Sequence, residues 1–215
     1  MTRRLRQAII DTARAMNTAG INQGTAGNVS VRHGKGYLIT PSGMAYDDLK
    51  ADDVVQMNLT GKSTGKRNPS SEWRFHQDIY AVRSDVGGVV HTHSPYATSL
   101  SCLRRGIPAF HYMVAVAGGA DIRCADYATF GTQELSDLAL TALEDRKACL
   151  LANHGMIACG RDLAEALKVA IEVETLAAQY WRCLQIGDPV LLPAAEMERV
   201  LNLFQTYGKQ PADAN

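Results

Sequence analysis

"VVHTHSPYA", residues 89–97, sets two histidines one residue apart behind a run of apolar residues. With "VGG" before it, the segment reads as a short buried strand that runs into the helix "PYATSLSCLRR". On a strand, positions i and i+2 share one side, so the His91 and His93 rings stand next to each other. Such a pair is either a crowded polar spot or two ligands of one metal ion.

Working outward, the stretch from Ser70, "SSEWRFHQDIYAVR", turns helical and lays Trp73, Gln77 and Tyr80 along one side. Upstream, "VSVRHGKGYLIT" alternates on both sides of a Gly-flanked turn, the pattern of a hairpin, and "DVVQMNL" is a further strand. At the start of the chain, Leu5, Ile9, Ala13 and Met16 recur at helical spacing, so the arginine-rich beginning reads as an amphipathic helix rather than a transit peptide. Downstream, "AFHYMVAVAGG" reads as extended and "TQELSDLALTALEDR" as an amphipathic helix. "KACLLANHGMIACG" gives two apolar strands around a polar corner at Asn153, His154 and Gly155. A long helix then opens with Asp162 and Glu165 at capping-box spacing, and "PAAEMERVLNLFQTYG" forms a last helix before a polar tail. Short strands interspersed with helices, one hairpin among them, lead to an α/β fold: a three-layer α/β/α domain around a mixed sheet. No repeat, low-complexity tract or boundary divides it, so residues 1–215 are expected to form one domain.

Bulk composition narrows the function. Of 215 residues, 46% are hydrophobic and 20% charged, and 22 basic residues balance 22 acidic ones. A nucleic-acid partner would call for a basic excess, which is missing. No apolar run approaches the roughly 20 residues that span a membrane. Five single cysteines without a C-x-x-C pair fit a reduced, cytoplasmic protein.

A zinc ion needs more than two ligands. His154, in its corner between strands, is one candidate for the third, with His33, His76 and His111 as rivals. Three protein ligands and an open position would make a catalytic rather than a structural site. Glu72 lies where a helix begins, a position at which a carboxylate can simply offset the helix dipole. His76, four residues on, shares its face, as many helix-surface Glu–His neighbours do. Three small polar clusters, "GTAGN" (24–28), "PSG" (41–43) and "PSS" (69–71), offer backbone N–H groups beside hydroxyl or amide side chains, and each is able to cradle an anion. No nucleotide-binding glycine motif is present.

Taken in order, "NQGTAGNVSVR", "LITPSG", "PSSEWRFH", "VVHTHS", "IPAFHYMVAVAGG", "YATFGTQELS" and "LLANHGMIAC" resemble the zinc-dependent class II sugar-phosphate aldolases over almost the whole chain, most closely those acting on L-fuculose 1-phosphate. The resemblance implies that family's fold, with a largely antiparallel central sheet. It implies one Zn2+ per subunit on His91, His93 and His154, with Glu72 as a further ligand of the resting metal and as the catalytic acid/base. Gly27, Asn28, Ser42, Gly43, Ser70 and Ser71 match the positions that hold the substrate phosphate. Tyr112 matches a catalytic tyrosine reaching into the neighbouring subunit of a fourfold homotetramer. Thr25, Phe130, Phe204 and Tyr207 match positions around that tyrosine or in a tail expected to be mobile from about residue 205. The implied reaction is reversible cleavage of a ketose 1-phosphate to dihydroxyacetone phosphate and an aldehyde such as L-lactaldehyde. Ser42 stands where the family's nearest pattern has threonine, and Ala152 and Asn153 replace bulkier polar residues, which leaves the aldehyde half open.

Several rival readings share these residues. A 5-deoxyribulose or 5-methylthioribulose 1-phosphate aldolase differs only in the aldehyde. An L-ribulose-5-phosphate 4-epimerase or a methylthioribulose-1-phosphate dehydratase of the same superfamily uses the same metal. A zinc hydrolase would activate water with the same ligands. A metal-free interaction module would have no use for the three histidines.

Overall fold

The computed structural model describes residues 2–205. Helix α1 (Thr2–Thr18) leads into the hairpin β1 (Asn28–His33) and β2 (Gly36–Ile39), then β3 (Val55–Asn58) and the short β4 (Ser63–Thr64). Helix α2 (Trp73–Val82), strand β5 (Gly88–Thr92) and helix α3 (Pro95–Cys102) follow. The rest comprises β6 (Cys124–Ala125), α4 (Gln133–Ala142), β7 (Ala148–Leu151), β8 (Gly155–Gly160), α5 (Leu163–Ile186) and α6 (Ala194–Phe204). Among the described residues, eight strands form one sheet in the order β4-β3-β2-β1-β5-β8-β7-β6. Only the β6–β7 pairing is parallel, so the sheet is mixed and largely antiparallel.

Alternation along the strands builds two cores. Val29, Val31, Leu38, Val90, Met156 and Ala158 face the layer of α1, α3, α5 and α6. Tyr37, Ile39, Val89, Ile157 and Cys159 face α2 and α4. Helices on both faces of one sheet give the expected three layers. The α1 stripe is buried at Ile9, Ala13 and Met16, and Leu5 packs at its edge.

Two expectations need correction. The stretch expected to be extended carries a 3-10 helix at Tyr112–Ala117. The His111 side chain accepts a hydrogen bond from Met113 N (3.1 Å) and starts the turn, while Gly118, at φ +87°, ends it. At the start of α5, Asp162 Oδ1 accepts from Glu165 N (2.8 Å), as a capping box requires. Glu165 returns the contact one residue early, to Arg161 N (2.9 Å), and also pairs with Lys147 (2.8 Å). The tail from about 205, with Tyr207, lies outside the described residues.

β5 occupies the middle of the sheet between β1 and β8, and its register decides the site. Asn28 lies opposite His91 on one side, and Ile157 opposite His91 on the other. Because both pairings are antiparallel, the start of β1, the end of β5 and the start of β8 meet at one end of the sheet.

Candidate metal centre and active site

At that end four side chains converge. Ligand atoms of Glu72, His91, His93 and His154 all lie within 4.8 Å of one another. His91 comes from the end of β5, His93 follows it, and His154 sits in the β7–β8 corner. Asn153 makes that corner in the left-handed region at φ +54°, which asparagine tolerates better than most residues. Gly155 then lets the His93 ring come close, since a Cβ there would stand 2.9 Å from His93 Cδ2. Gly27 is needed for a similar reason: a Cβ would collide with His91 O and Asn22 Oδ1.

Glu72 stands where α2 begins, as expected. It occupies the N-cap position of α2, but its side chain caps nothing and turns inward instead. Burial alone would raise this carboxyl. The opposing charge of His91 and contacts with His154 and His91 outweigh it, so the group is held well below the usual carboxylate range.

The donor chemistry of the cluster fits a cation. His91 Nδ1 lies 2.9 Å from Met156 O, a carbonyl that can only accept, so Nδ1 carries a proton and Nε2 is the ring nitrogen turned to the cluster. His91 Nε2 lies 3.1 Å from His93 Nε2 and 3.1 Å from Glu72 Oε2. His154 Nε2 lies 3.0 Å from Glu72 Oε1, yet Oε1 is buried without a hydrogen-bond partner. Acceptors crowded in this way repel unless protons or a cation stand between them. A tetrahedral zinc ion with Zn–N bonds of about 2.0–2.1 Å spaces its ligands roughly 3.4 Å apart, close to these separations. Burial, followed by the neighbouring charges of His91 and His154, pushes the His93 ring down to about 4, which keeps it neutral and available as a ligand.

Of the three small polar clusters, the first and third touch Glu72 and the second is tied to the third. Asn28 Nδ2 donates to Glu72 Oε2 (3.0 Å), which brings the first cluster to the carboxylate. The second and third are tied to each other: Pro41 bridges Pro69, Ser42 N donates to Asn68 O (3.1 Å) and Ser70 N to Thr40 O (3.0 Å). Ser70 is buried with its Oγ accepting from Glu72 N (3.3 Å), while Thr25, Ser42, Gly43 and Ser71 are exposed. Phe130, 64% exposed, belongs to a loop that abuts Ser71, where Gly131 O accepts from Arg74 Nη1 (2.6 Å). Tyr112 is 47% exposed and stacks on His111 at 4.9 Å. Among the described residues no hydrogen bond, ion pair or ring contact joins it to the metal-type cluster. Phe204 ends α6 and packs at the edge of the core on the α5 side.

Of the rival histidines, His33 lies at the hairpin near Thr2 (3.4 Å) and His111 caps the 3-10 helix. His76 stays outside the cluster as well. Its ring is fully buried and bonded to Ser30 Oγ (2.6 Å) and Asn28 Oδ1 (2.5 Å). Burial is the main reason its pKa falls, to about 3. Sequence reading missed Ser30, Tyr80 and the orienting carbonyl of Met156. The one available signal was in "NVSVR", where Asn28 and Ser30 share a side of a strand whose start is buried on both faces.

This geometry can be compared with known proteins. The family described as "Class II Aldolase and Adducin N-terminal domain" matches residues 7–181. The chain belongs to the class II aldolase family. It is 64% identical over 204 residues to a 5-methylthioribulose-1-phosphate/5-deoxyribulose-1-phosphate aldolase of Rhodospirillum rubrum, covering 95% of this chain and 92% of that one. It is 51% identical over 206 residues to the L-fuculose phosphate aldolase of Escherichia coli K12, covering 95% and 96%. A solved L-fuculose 1-phosphate aldolase superposes with a TM-score of 0.91 at 42% identity, over 94% of this chain and 96% of that one. The class II aldolase is therefore an enzyme, and its sheet and layers are those of the family. The finer leaning toward L-fuculose 1-phosphate is left open by two kinds of relative, acting on different ketose 1-phosphates.

Proposed function

We propose that this class II aldolase cleaves 5-deoxyribulose or 5-methylthioribulose 1-phosphate between C3 and C4, releasing dihydroxyacetone phosphate and a two-carbon aldehyde or its methylthio derivative. One observation carries the reaction type: the ligand atoms of three histidines converge with a buried carboxylate whose Oε1 has no hydrogen-bond partner. The 64% identity to the Rhodospirillum rubrum enzyme favours this substrate pair. L-fuculose 1-phosphate, which would give L-lactaldehyde, is the second reading, supported by the 51% relative and the structural likeness.

His91, His93, His154 and Glu72 would hold the metal, zinc by the chemistry of the donors. When bound, such a cation supplies Lewis acidity for the electrons that C–C cleavage leaves on C3. Gly27, Asn28, Ser42, Gly43, Ser70 and Ser71 bind the phosphate through N–H groups and hydroxyls, with no lysine needed. Tyr112 takes the proton of the C4 hydroxyl as the bond breaks, and Glu72 delivers a proton to C3 to complete dihydroxyacetone phosphate. Tyr112 does so from a neighbouring subunit of a homotetramer, a placement supported by its exposure and its separation from its own chain's cluster. Thr25, Phe130, Phe204 and Tyr207 would have supporting roles. The chain works as one domain in the cytoplasm, in keeping with five unpaired cysteines.

A panel of ketose 1-phosphates with coupled detection of dihydroxyacetone phosphate tests this proposal. The highest kcat/KM is expected for the 5-deoxy and 5-methylthio ribulose esters. A tenfold preference for L-fuculose 1-phosphate would reverse the order. Release of an epimer, of water or of inorganic phosphate instead would refute aldol cleavage. Tyr112→Phe should slow cleavage at least tenfold while sparing exchange of the C3 proton of dihydroxyacetone phosphate with solvent deuterium, read by NMR.

A further inference from the structure

Behind Glu72 lies a row of polar side chains, of which only Asn28 has a part in the proposed reaction. Asn28 and Ser30 project from one side of β1, and His76 and Tyr80 stand one turn apart on α2. All four are buried. Their contacts run in sequence: Tyr80 Oη to Ser30 Oγ (2.9 Å), Ser30 Oγ to His76 Nδ1 (2.6 Å), His76 Nε2 to Asn28 Oδ1 (2.5 Å), and Asn28 Nδ2 to Glu72 Oε2 (3.0 Å).

Elementary donor rules give this row one direction. An ionised carboxylate can only accept, so Asn28 must turn its NH2 to Glu72 and its carbonyl to His76. The carbonyl needs a donor, so His76 carries its proton on Nε2. The neutral ring then accepts at Nδ1, which obliges the Ser30 hydroxyl to donate there and to accept from Tyr80. At the far end Tyr80 is held in place by Arg32, whose guanidinium lies 4.9 Å from the ring centroid and whose Nη2 donates to Tyr80 O (3.0 Å). Reversing the Asn28 amide would set a carbonyl oxygen against the carboxylate and leave His76 Nε2–H facing an NH2. The row cannot conduct protons, because Asn28 would have to become an imidic acid to pass one on.

We infer that His76 is a positioning residue: backed by Ser30 and Tyr80, it locks the Asn28 amide so that its NH2 holds Glu72 Oε2 in the metal cluster. This inference rests on the proposed role of Glu72. A buried row serving packing alone would affect stability wherever it is cut. A positioning row has graded effects on the site, strongest near Glu72 and weakest at Tyr80, and these follow the row's order rather than the loss of stability. Partners behind metal ligands commonly change metal affinity or activity by about 10–100-fold.

The test combines His76→Phe, His76→Gln, Ser30→Ala and Tyr80→Phe with three measurements. These are Zn2+ affinity of the metal-free protein by chelator competition, solvent deuterium exchange at C3 of dihydroxyacetone phosphate, and Tm. His76→Phe keeps a flat ring without a donor and should lose about tenfold or more in both affinity and exchange. His76→Gln, which restores an N–H, should recover most of that loss. Ser30→Ala should lose roughly threefold to tenfold, and Tyr80→Phe less. Wild-type affinity and exchange in folded His76→Phe would overturn the inference, as would losses that follow Tm alone. Should His76→Phe fail to fold, Ser30→Ala decides, and unchanged affinity and exchange there would overturn it equally. If wild-type enzyme itself shows no exchange, the proposed role of Glu72 fails. If wild type exchanges and the variants match it, only the positioning row fails.

Discussion

Two buried carboxylates, Glu72 and Glu174, show how one fold uses the same group in opposite ways. They are 5% and 8% exposed, so both have lost most of their water. Glu174, on α5, takes its replacement from the backbone and a hydroxyl: Ser94 Oγ (2.7 Å), Tyr96 N (2.8 Å) and Ala97 N (2.8 Å). It caps the first turn of α3 from outside that helix, a service Ser94 does not perform with its own side chain. Glu72 receives one amide donor on Oε2, and its Oε1 has none. Its other neighbours are imidazole nitrogens. A carboxylate supplied with donors is a structural cap, whereas one set among three imidazoles fits the proposed cation site.

The comparison is open to direct attack, and the sharpest instrument is Glu72→Gln. General acid–base groups contribute about 10²–10⁴-fold, so cleavage and C3 exchange should fall by that order. Circular dichroism and Tm should change little, because the amide removes a charge that the fold itself does not need. A large loss of stability would make Glu72 a structural residue like Glu174. Metal removal comes next. Chelation should abolish turnover and lower Tm, and added divalent cation should restore both. A ligand at 100 times its Kd stabilises by about 2.7 kcal/mol. Retained turnover without metal would end the contrast altogether.

Glu174→Gln should show the converse behaviour. It weakens three charge-assisted hydrogen bonds and should cost roughly 2–4 kcal/mol in urea unfolding, while the remaining folded enzyme exchanges the C3 proton within a few-fold of wild type. The last effect is a pH dependence of the metal-free protein. His76 and His93 are held at about 3 and about 4, below the ordinary 6.5. Between those limits the unfolded chain binds more protons, so stability is fully present above about 6.5 and drains as pH falls. The slope approaches about 1.4 kcal/mol per pH unit for each histidine, and His76→Gln should remove one histidine's share. A flat profile from pH 7 to pH 5 would mean that neither ring is buried neutral.

Much of this was legible in the chain. The period-2 pair His91 and His93, the alternating hairpin, the amphipathic α1 and the Asp162 cap are local patterns, set by covalent geometry within a few residues. The three layers followed from the succession of such patterns. The 3-10 helix at Tyr112–Ala117 was not legible, because its start rests on one His111 side-chain contact and its apolar run has no clear period. The short strands β4 and β6, of two residues each, carry too little pattern to be seen.

What the order of residues determined by itself was which elements form and which side each residue faces. Selection of His154 over His33, His76 and His111 from residue properties alone depended on the meeting of β1, β5 and β8 at one sheet end. So did the orientation of Glu72 and the row from Tyr80 to Asn28, whose partners stand 44–50 residues apart. Those choices belong to the tertiary structure for a physical reason. Hydrogen-bond and ligand geometry act over about 3 Å, and only the packed sheet brings such distant segments that close.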